Sequence, residues 1–369
     1  MNIAIAQSGG PTSAINASLA GVYFSGKKSD KIDKIYGSFN GIEGIIDENL
    51  VDLSEWITDD EKYEILLRTP SAVLGSCRRK LPDYHENSKI YEKITEVLHR
   101  NDIGMFFYIG GNDSMDTVSK YSKYLSENSI NDIKVIGIPK TIDNDLCNTD
   151  HCPGFGSAAK YVSMTVQEIV RDSNVYNTPS VTIIEAMGRH AGWLTAASCC
   201  IRANGEIAPH LIYLPEVPFS IEKFLKDVKN CMKKHKAVIV VVSEGVKTAE
   251  GKFAAEECQS GQKDVFGHSY LSGIGKFLEK LVASEIGCKV RSIELNVMQR
   301  CSSHIASLED IKSSETIGKA AVDAGLRGET GCMMTFVRES NSPYKYSINT
   351  IEASKVANSE KLFPNEWIS

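Results

Sequence analysis

The stretch "PKTIDND" (139–145) packs a lysine, a threonine hydroxyl and two aspartates into one loop. Lys140 is a mobile cation suited to phosphate. Thr141 offers a hydroxyl. Asp143 and Asp145 are two apart, so in an extended loop they point the same way. Phosphoryl transfer to an alcohol needs a carboxylate near the hydroxyl to accept its proton. It also needs cations to offset charge on the transferring group. This loop supplies both.

Two other stretches offer places for a polyphosphate. "SGGPTSAIN" (8–16) and "IGGNDS" (109–114) each end an apolar run in a glycine pair, Gly9-Gly10 and Gly110-Gly111. Without Cβ atoms the backbone can bend sharply and come close to phosphate oxygens. A helix following Gly9-Gly10 presents unpaired N–H groups and a partial positive charge to an anion. Two such turns at parallel strand ends can face one polyphosphate from two sides. Asp113 or Ser114 can instead cap the helix after the second turn. Asp113 also puts a carboxylate where a long polyphosphate would lie. "EAMGRHAGWL" (185–194) sets Gly188-Arg189-His190 between a strand and a helix, and Arg189 can fork onto a phosphate. Glu244 ends a very apolar strand in "SEG" (243–245), where it can accept bonds from sugar hydroxyls. "RSIELNVMQR" (291–300) adds Arg291 and Arg300 as phosphate ligands. Taken singly, such charges are more often surface ion pairs, and His190 and Trp193 more often pack.

The elements that must position these residues follow an open α/β pattern. Continuous apolar runs at 2–7, 105–110, 134–139, 180–187 and 237–245 indicate strands covered on both faces, hence parallel sheet. Amphipathic stretches at 13–24 and 191–203 read as helices. In such sheets ligands bind beyond the C-terminal ends of the strands, where the polar glycine-rich segments fall. The chain has 369 residues, 42% hydrophobic and 24% charged, which suggests two globular domains. Net charge is -6, with a pI of about 5.8, so no basic footprint for nucleic acid exists. No apolar run approaches the roughly 20 residues that span a bilayer. The N-terminus enters a strand directly and has no secretory signal features, so a cytoplasmic protein is expected. Ten cysteines contain no CxxC pair and read as free buried thiols rather than a zinc site.

"GGPTSAIN", "GGNDS", "PKTIDND", "MGRHAGW" and "SEG", in this order and at these intervals, closely resemble the phosphofructokinase family. The resemblance runs over nearly the whole chain, including "FGHSYLSGIG" (267–276) and "VANSEKLFPNEWI" (356–368). Within the family the chain resembles the pyrophosphate-dependent branch. The resemblance implies two doubly wound α/β domains with mainly parallel sheets and the active site in the cleft between them. Residues 1–155 with 301–369 would hold the donor, and 156–300 the sugar phosphate. The implied reaction moves a phosphoryl group to the 1-hydroxyl of fructose 6-phosphate, with Mg2+. Asp143 matches the general base. Thr141 and Asp145 match neighbours that hold the sugar and the metal-bound phosphates. Met187, Gly188 and Arg189 match the sugar-phosphate loop, and Glu244 the acceptor of sugar hydroxyls. Arg300 matches a sugar 6-phosphate ligand. Arg291 matches one that reaches in from a neighbouring subunit, which implies a homodimer or homotetramer. Gly9, Gly10, Gly110, Gly111 and Ser114 fall on the donor side, and Asn112, Asp113 and Asp145 on the metal side.

ATP-using members resemble one another in having Gly where Asp113 and Lys140 stand. Gly leaves room for an α-phosphate, whereas the Asp side chain fills that space and repels its charge. Pyrophosphate stops short of the clash, and Lys140 supplies charge beside the transferring group. Some positions depart from the family pattern. Asn112 stands where most members have a metal-associated Asp. Val297 replaces a His or Tyr against the sugar phosphate. Cys301-Ser302 replaces the usual glycines after Arg300, and Ser180 replaces a basic residue. These departures leave open another acceptor such as sedoheptulose 7-phosphate. The competing readings are an ATP-dependent enzyme, a non-catalytic sugar-phosphate binder, and a lipid or NAD kinase. Asp113 with Lys140, the presence of Asp143 and Arg189, and the "MGRHAGW" loop speak against each in turn.

Overall fold

The computed structural model describes residues 1–254 and 273–368. Most of "FGHSYLSGIG" (267–276) and Cys258 therefore lie outside the described residues. Among the described residues eleven strands follow in chain order. They are β1 (Asn2–Gln7), β2 (Ile35–Ser38), β3 (Leu50–Asp52), β4 (Ile103–Gly110), β5 (Lys134–Pro139), β6 (Ser180–Ala186), β7 (Leu211–Tyr213), β8 (Ala237–Ser243), β9 (Lys289–Glu294), β10 (Cys332–Asn341) and β11 (Tyr344–Glu352).

The chain divides into two compact units. The first comprises Met1–Ile142, Leu146–Ser157 and Arg300–Glu360, and the second Asp143–Asp145, Ala158–Gln299 and Lys361–Ser369. The sequence assigned the closing residues 361–369 and all of "PKTIDND" to the donor side. The structure instead groups Lys361 onward with Asp143–Asp145, because the Lys361 N–H bonds the Asp145 carbonyl at 2.7 Å.

The first unit is built on a seven-stranded sheet, ordered β11-β10-β5-β4-β1-β2-β3. Its middle, from β10 to β2, is parallel, and β3 and β11 pair antiparallel at the two edges. Val, Ile and Phe fill β1, β4 and β5, and helices cover both faces, so Ile3, Ile5, Phe107, Ile109, Ile136 and Ile138 share one core. Burying each such side chain contributes roughly 1.5–3 kcal/mol. The second unit has a four-stranded sheet, β7-β8-β6-β9, parallel throughout. All seven residues of β8 are buried, as its unbroken apolar run requires.

The helix expected at 13–24 runs Ile15–Lys28. Its start is delayed because the Thr12 hydroxyl accepts the Ala14 and Ile15 N–H groups at 3.2 and 3.0 Å. The helix expected at 191–203 stops early. Trp193–Ala197 is α-helical, and Ser198–Asn204 tightens to a 3-10 turn ending at Gly205. Cys199-Cys200-Ile201 are weak helix formers, which fits that ending. Among the described cysteines all are free, but Cys199 and Cys200 are exposed, so the expectation of buried thiols fails there. No helix among the described residues is long and apolar enough to cross a membrane.

Candidate active site

The donor half sits at the C-terminal ends of three adjacent strands. In the order β5-β4-β1, these strands end in Lys140, Gly110-Gly111 and, one residue after Gln7, Ser8-Gly9-Gly10. Gly9 takes φ +75°, a left-handed turn that a side chain would strain. Its N–H bonds the Cys77 carbonyl at 3.1 Å, and its own carbonyl takes the Ser76 hydroxyl at 2.6 Å. The Lys140 N–H bonds the Gly110 carbonyl at 2.9 Å. The Lys140 side chain is buried, and its ammonium donates to the Gly10 carbonyl at 2.7 Å. The Arg300 guanidinium also lies over Gly10, about a van der Waals contact from where a Cβ would stand. Two cations therefore converge on one glycine turn. The sequence placed Arg300 with the sugar phosphate, whereas the structure groups it with the donor unit.

The two turns differ in what they leave open. The first helix has its leading N–H groups covered by Thr12, so the anion site expected there is closed at the helix end. Helix Asn112–Glu127 has Gly111 at its N-cap and no side-chain cap, so neither Asp113 nor Ser114 performs the capping weighed for them. Its positive end is the open one. Ser114 is buried, with its oxygen 2.5 Å from that of Ser8, and so joins the two turns to each other. Asp113 pairs with Lys80 at 3.0 Å. Asn112 is committed elsewhere. Its side-chain oxygen accepts the Asn358 N–H and its amide donates to the Ser359 carbonyl, both at 2.6 Å. That oxygen, expected on the metal side, thus already accepts one backbone N–H and has one lone pair left for another partner.

The acceptor half gathers Asp143, Gly188, Arg189 and Glu244 in the second unit. The loops after β6 and β8 interlock. The Ser243 hydroxyl donates to the Gly188 carbonyl at 2.5 Å, and the Gly188 N–H reaches Glu244 Oε1 at 3.3 Å. Gly245 lies so close to the Arg189 backbone that a Cβ there would collide with it. Burial pushes the Glu244 carboxyl up from 4.5 to about 8, and the nearby Asp143 charge adds to the rise. The Gly188 N–H and the Arg189 charge oppose it. Two close carboxylates, one holding a proton, can bind and orient a hydroxyl and receive its proton. The loop does not present the aspartates by strand alternation. Asn144 between them is buried at φ +54°, so the extended geometry expected for 143–145 is replaced by a left-handed turn.

Arg291 lies on β9, at the surface, 3.3 Å from Asp172. Val297 and Met298 are exposed, and Ser180 opens β6. Sequence reasoning missed three groups. The cationic run Arg78-Arg79-Lys80 follows the Ser76-Cys77 pair that holds Gly9, and three successive cations after a Gly-Ser were its signal. Gln299 is buried and accepts the Met187 N–H at 3.2 Å. Glu216 accepts the Gly192 N–H at 2.8 Å. No spacing pointed to the last two. Among the described residues no three His, Cys, Asp or Glu side chains gather as a metal cage. A magnesium site that relies on substrate phosphates for most ligands needs only one or two carboxylates. Within the first unit, Asp113 at the open helix end is a carboxylate of that kind.

Comparison with known proteins gives consistent neighbours. The family described as Phosphofructokinase matches residues 2–325. A pyrophosphate–fructose 6-phosphate 1-phosphotransferase of Methylococcus capsulatus is 41% identical, covering 100% of this chain and 87% of the relative. A sulfofructose kinase of Alkalicoccus urumqiensis is 34% identical, covering 100% of this chain and 92% of the relative. The crystal structure of a pyrophosphate-dependent phosphofructokinase from Nitrosospira multiformis superposes with a TM-score of 0.85 at 38% identity, covering 100% of this chain and 87% of that one.

Proposed function

The chain belongs to the phosphofructokinase family, and from that premise we propose that it is a pyrophosphate-dependent 6-phosphofructokinase. It moves a phosphoryl group reversibly from pyrophosphate to the 1-hydroxyl of fructose 6-phosphate, giving fructose 1,6-bisphosphate and phosphate. The observation that carries the donor choice is the buried Lys140 ammonium held against the Gly9-Gly10 turn. The Asp113 carboxylate, fixed by Lys80, stands at the open helix end. The names of the full-length relatives support the same reading.

The Gly9-Gly10 and Gly110-Gly111 turns and the uncapped helix end bind pyrophosphate. Lys140 offsets charge on the transferring phosphoryl group and the leaving phosphate. Asp113 and Asp145 would hold magnesium, which supplies further neutralisation of the phosphate oxygens when bound. Met187, Gly188, Arg189 and Glu244 hold the sugar phosphate, with Arg291 given by a neighbouring subunit of a homodimer or homotetramer in the cytoplasm. Thr141 helps to seat the reacting groups, and Asp143 takes the proton from the 1-hydroxyl as it attacks in line. Arg300, lying over Gly10, joins the anion-binding set from the donor side.

ATP is excluded by space and charge. An α-phosphate brought to about 4 Å from the Asp113 carboxylate meets a pairwise repulsion of about 4 kcal/mol at an effective dielectric of about 20, which the paired Lys80 ammonium reduces, so space is the larger part of the exclusion. Pyrophosphate has no third phosphate to meet it. Replacing both selecting residues tests this directly. The Asp113→Gly, Lys140→Gly double variant should lose about 10²-fold in kcat/KM for pyrophosphate, a loss comparable to removing a preorganised charge-stabilising group. It should also gain measurable turnover with ATP. An unchanged donor preference would refute the assignment.

A further inference from the structure

The closing segment of the chain binds back onto the acceptor half through contacts that the proposed chemistry does not use. Lys361 gives its backbone N–H to the Asp145 carbonyl at 2.7 Å, and its own carbonyl takes the Trp193 indole N–H at 2.9 Å. Its ammonium lies 3.4 Å from the Asn144 side-chain oxygen. Two residues on, the Phe363 N–H donates to Glu216 Oε1 at 2.8 Å. That same oxygen takes the Gly192 N–H, also at 2.8 Å. The other Glu216 oxygen is buried, with no hydrogen-bond partner among the described residues. Trp193, Phe363 and Trp367 pack edge to face, with centroids 5.0 to 6.1 Å apart.

We propose that Lys361–Trp367 is a clasp that fixes the Asp143–Asp145 loop in register with the sugar-phosphate loop, and that Glu216 is the positioning residue at its centre. The proposal rests on Asp143 as the base and on the 187–189 loop as the sugar site. The two loops are far apart in sequence, and the clasp contacts both. Lys361 holds the carbonyl of Asp145 and the side chains of Asn144 and Trp193. Glu216 holds Gly192, four residues beyond Gly188, to the same segment. A base must sit within hydrogen-bond reach of the proton that it takes, about 2.6–3.2 Å. A shift of about 1 Å can lower the rate roughly 10²-fold. A single carboxylate oxygen accepting two N–H groups from two segments is a joint that one substitution can open.

The test compares Glu216→Ala with Glu216→Gln in the full chain, varying fructose 6-phosphate and pyrophosphate separately and recording the thermal midpoint. The Ala variant should lose about tenfold in kcat and gain about tenfold in KM for the sugar phosphate, as misplaced reacting groups require. Its KM for pyrophosphate should stay within about twofold, since the donor turns belong to the other unit. Gln keeps one oxygen for both N–H groups and should recover the activity to within about threefold. A lower maximal rate with the sugar-phosphate KM unmoved would overturn the proposal, because a merely structural loss removes active molecules without changing either KM. No change at all would overturn it too, as would a Gln variant as impaired as Ala. If the Ala variant does not fold, Lys361→Met replaces it. It should shift the same sugar-phosphate KM by about threefold in the same direction, and an unmoved value overturns the clasp. Failure of the underlying reading is separable, since the unaltered protein would then show no turnover with these two substrates.

Discussion

In the proposed reaction Asp143 and Glu244 carry the acceptor chemistry, and their proximity makes two predictions at the residue scale. Asp143→Ser should cut kcat by about 10²-fold or more, as loss of a general base does, with little change in sugar-phosphate affinity. Steady-state kinetics with binding measured separately checks this, and unchanged turnover would contradict it. Glu244 holds its proton up to about pH 8 in the folded state, against 4.5 for the ordinary group. A carboxyl whose pKa rises on folding binds its proton more tightly when folded. The stability it contributes is therefore full below about 4.5 and is lost as pH climbs towards 8. The thermal midpoint of the ligand-free protein should fall across that window, and Glu244→Gln should flatten the fall. A midpoint that rises through the window in the unaltered protein would count against it. The candidate residues stood out in the sequence because they fall in Gly-, Asp- and Arg-rich loops just after strand ends, a pattern that packing alone does not require. The ties of Asn112 to Asn358 and Ser359 were not legible, because nothing local announces a backbone partner 246 residues away.

The elements were legible where a single interaction shaped the sequence. β1 and β5 span the residues expected, because strands covered on both faces need unbroken apolar runs. β9 was missed because "KVRSIE" is an edge strand with both ends exposed, so it carries no such run. The β10–β11 hairpin was missed for a related reason: β11 is an edge strand of the larger sheet, with no buried residue. One helix start depends on a partner remote in sequence. Asp310 is buried and accepts the Gly154 N–H and the Ser157 N–H, both at 2.9 Å, together with the Ser157 hydroxyl. It thereby secures the start of helix Phe155–Ser173. Asp310→Ala would orphan these buried donors and should destabilise the protein by about 2–4 kcal/mol. Asp310→Asn, which keeps acceptor oxygen, should lose less. Urea unfolding of the two variants checks the order, and equal midpoints for Ala and the unaltered protein would contradict the role.

At the scale of the whole molecule, chain length suggested two domains and the alternation of strands and helices gave their α/β class, whereas two of the seams left no mark in the sequence. Besides changing at 157/158 and 299/300, the chain changes unit inside "PKTIDND" and again at Lys361, which the expected boundaries did not include. Assembly makes its own prediction. Under the proposed sharing of Arg291 between subunits, co-expressed Arg291→Ala and Asp143→Ser chains would form mixed dimers with one complete site. They should recover up to about a quarter of the unaltered turnover, given random pairing in a symmetric dimer. No recovery would mean that Arg291 serves its own chain or none. The account stands most directly on the donor. With magnesium and fructose 6-phosphate, formation of fructose 1,6-bisphosphate is followed with pyrophosphate and then with ATP at equal concentration. Turnover with pyrophosphate and none with ATP is the predicted result, and turnover with ATP alone would contradict the role given to Asp113 and Lys140.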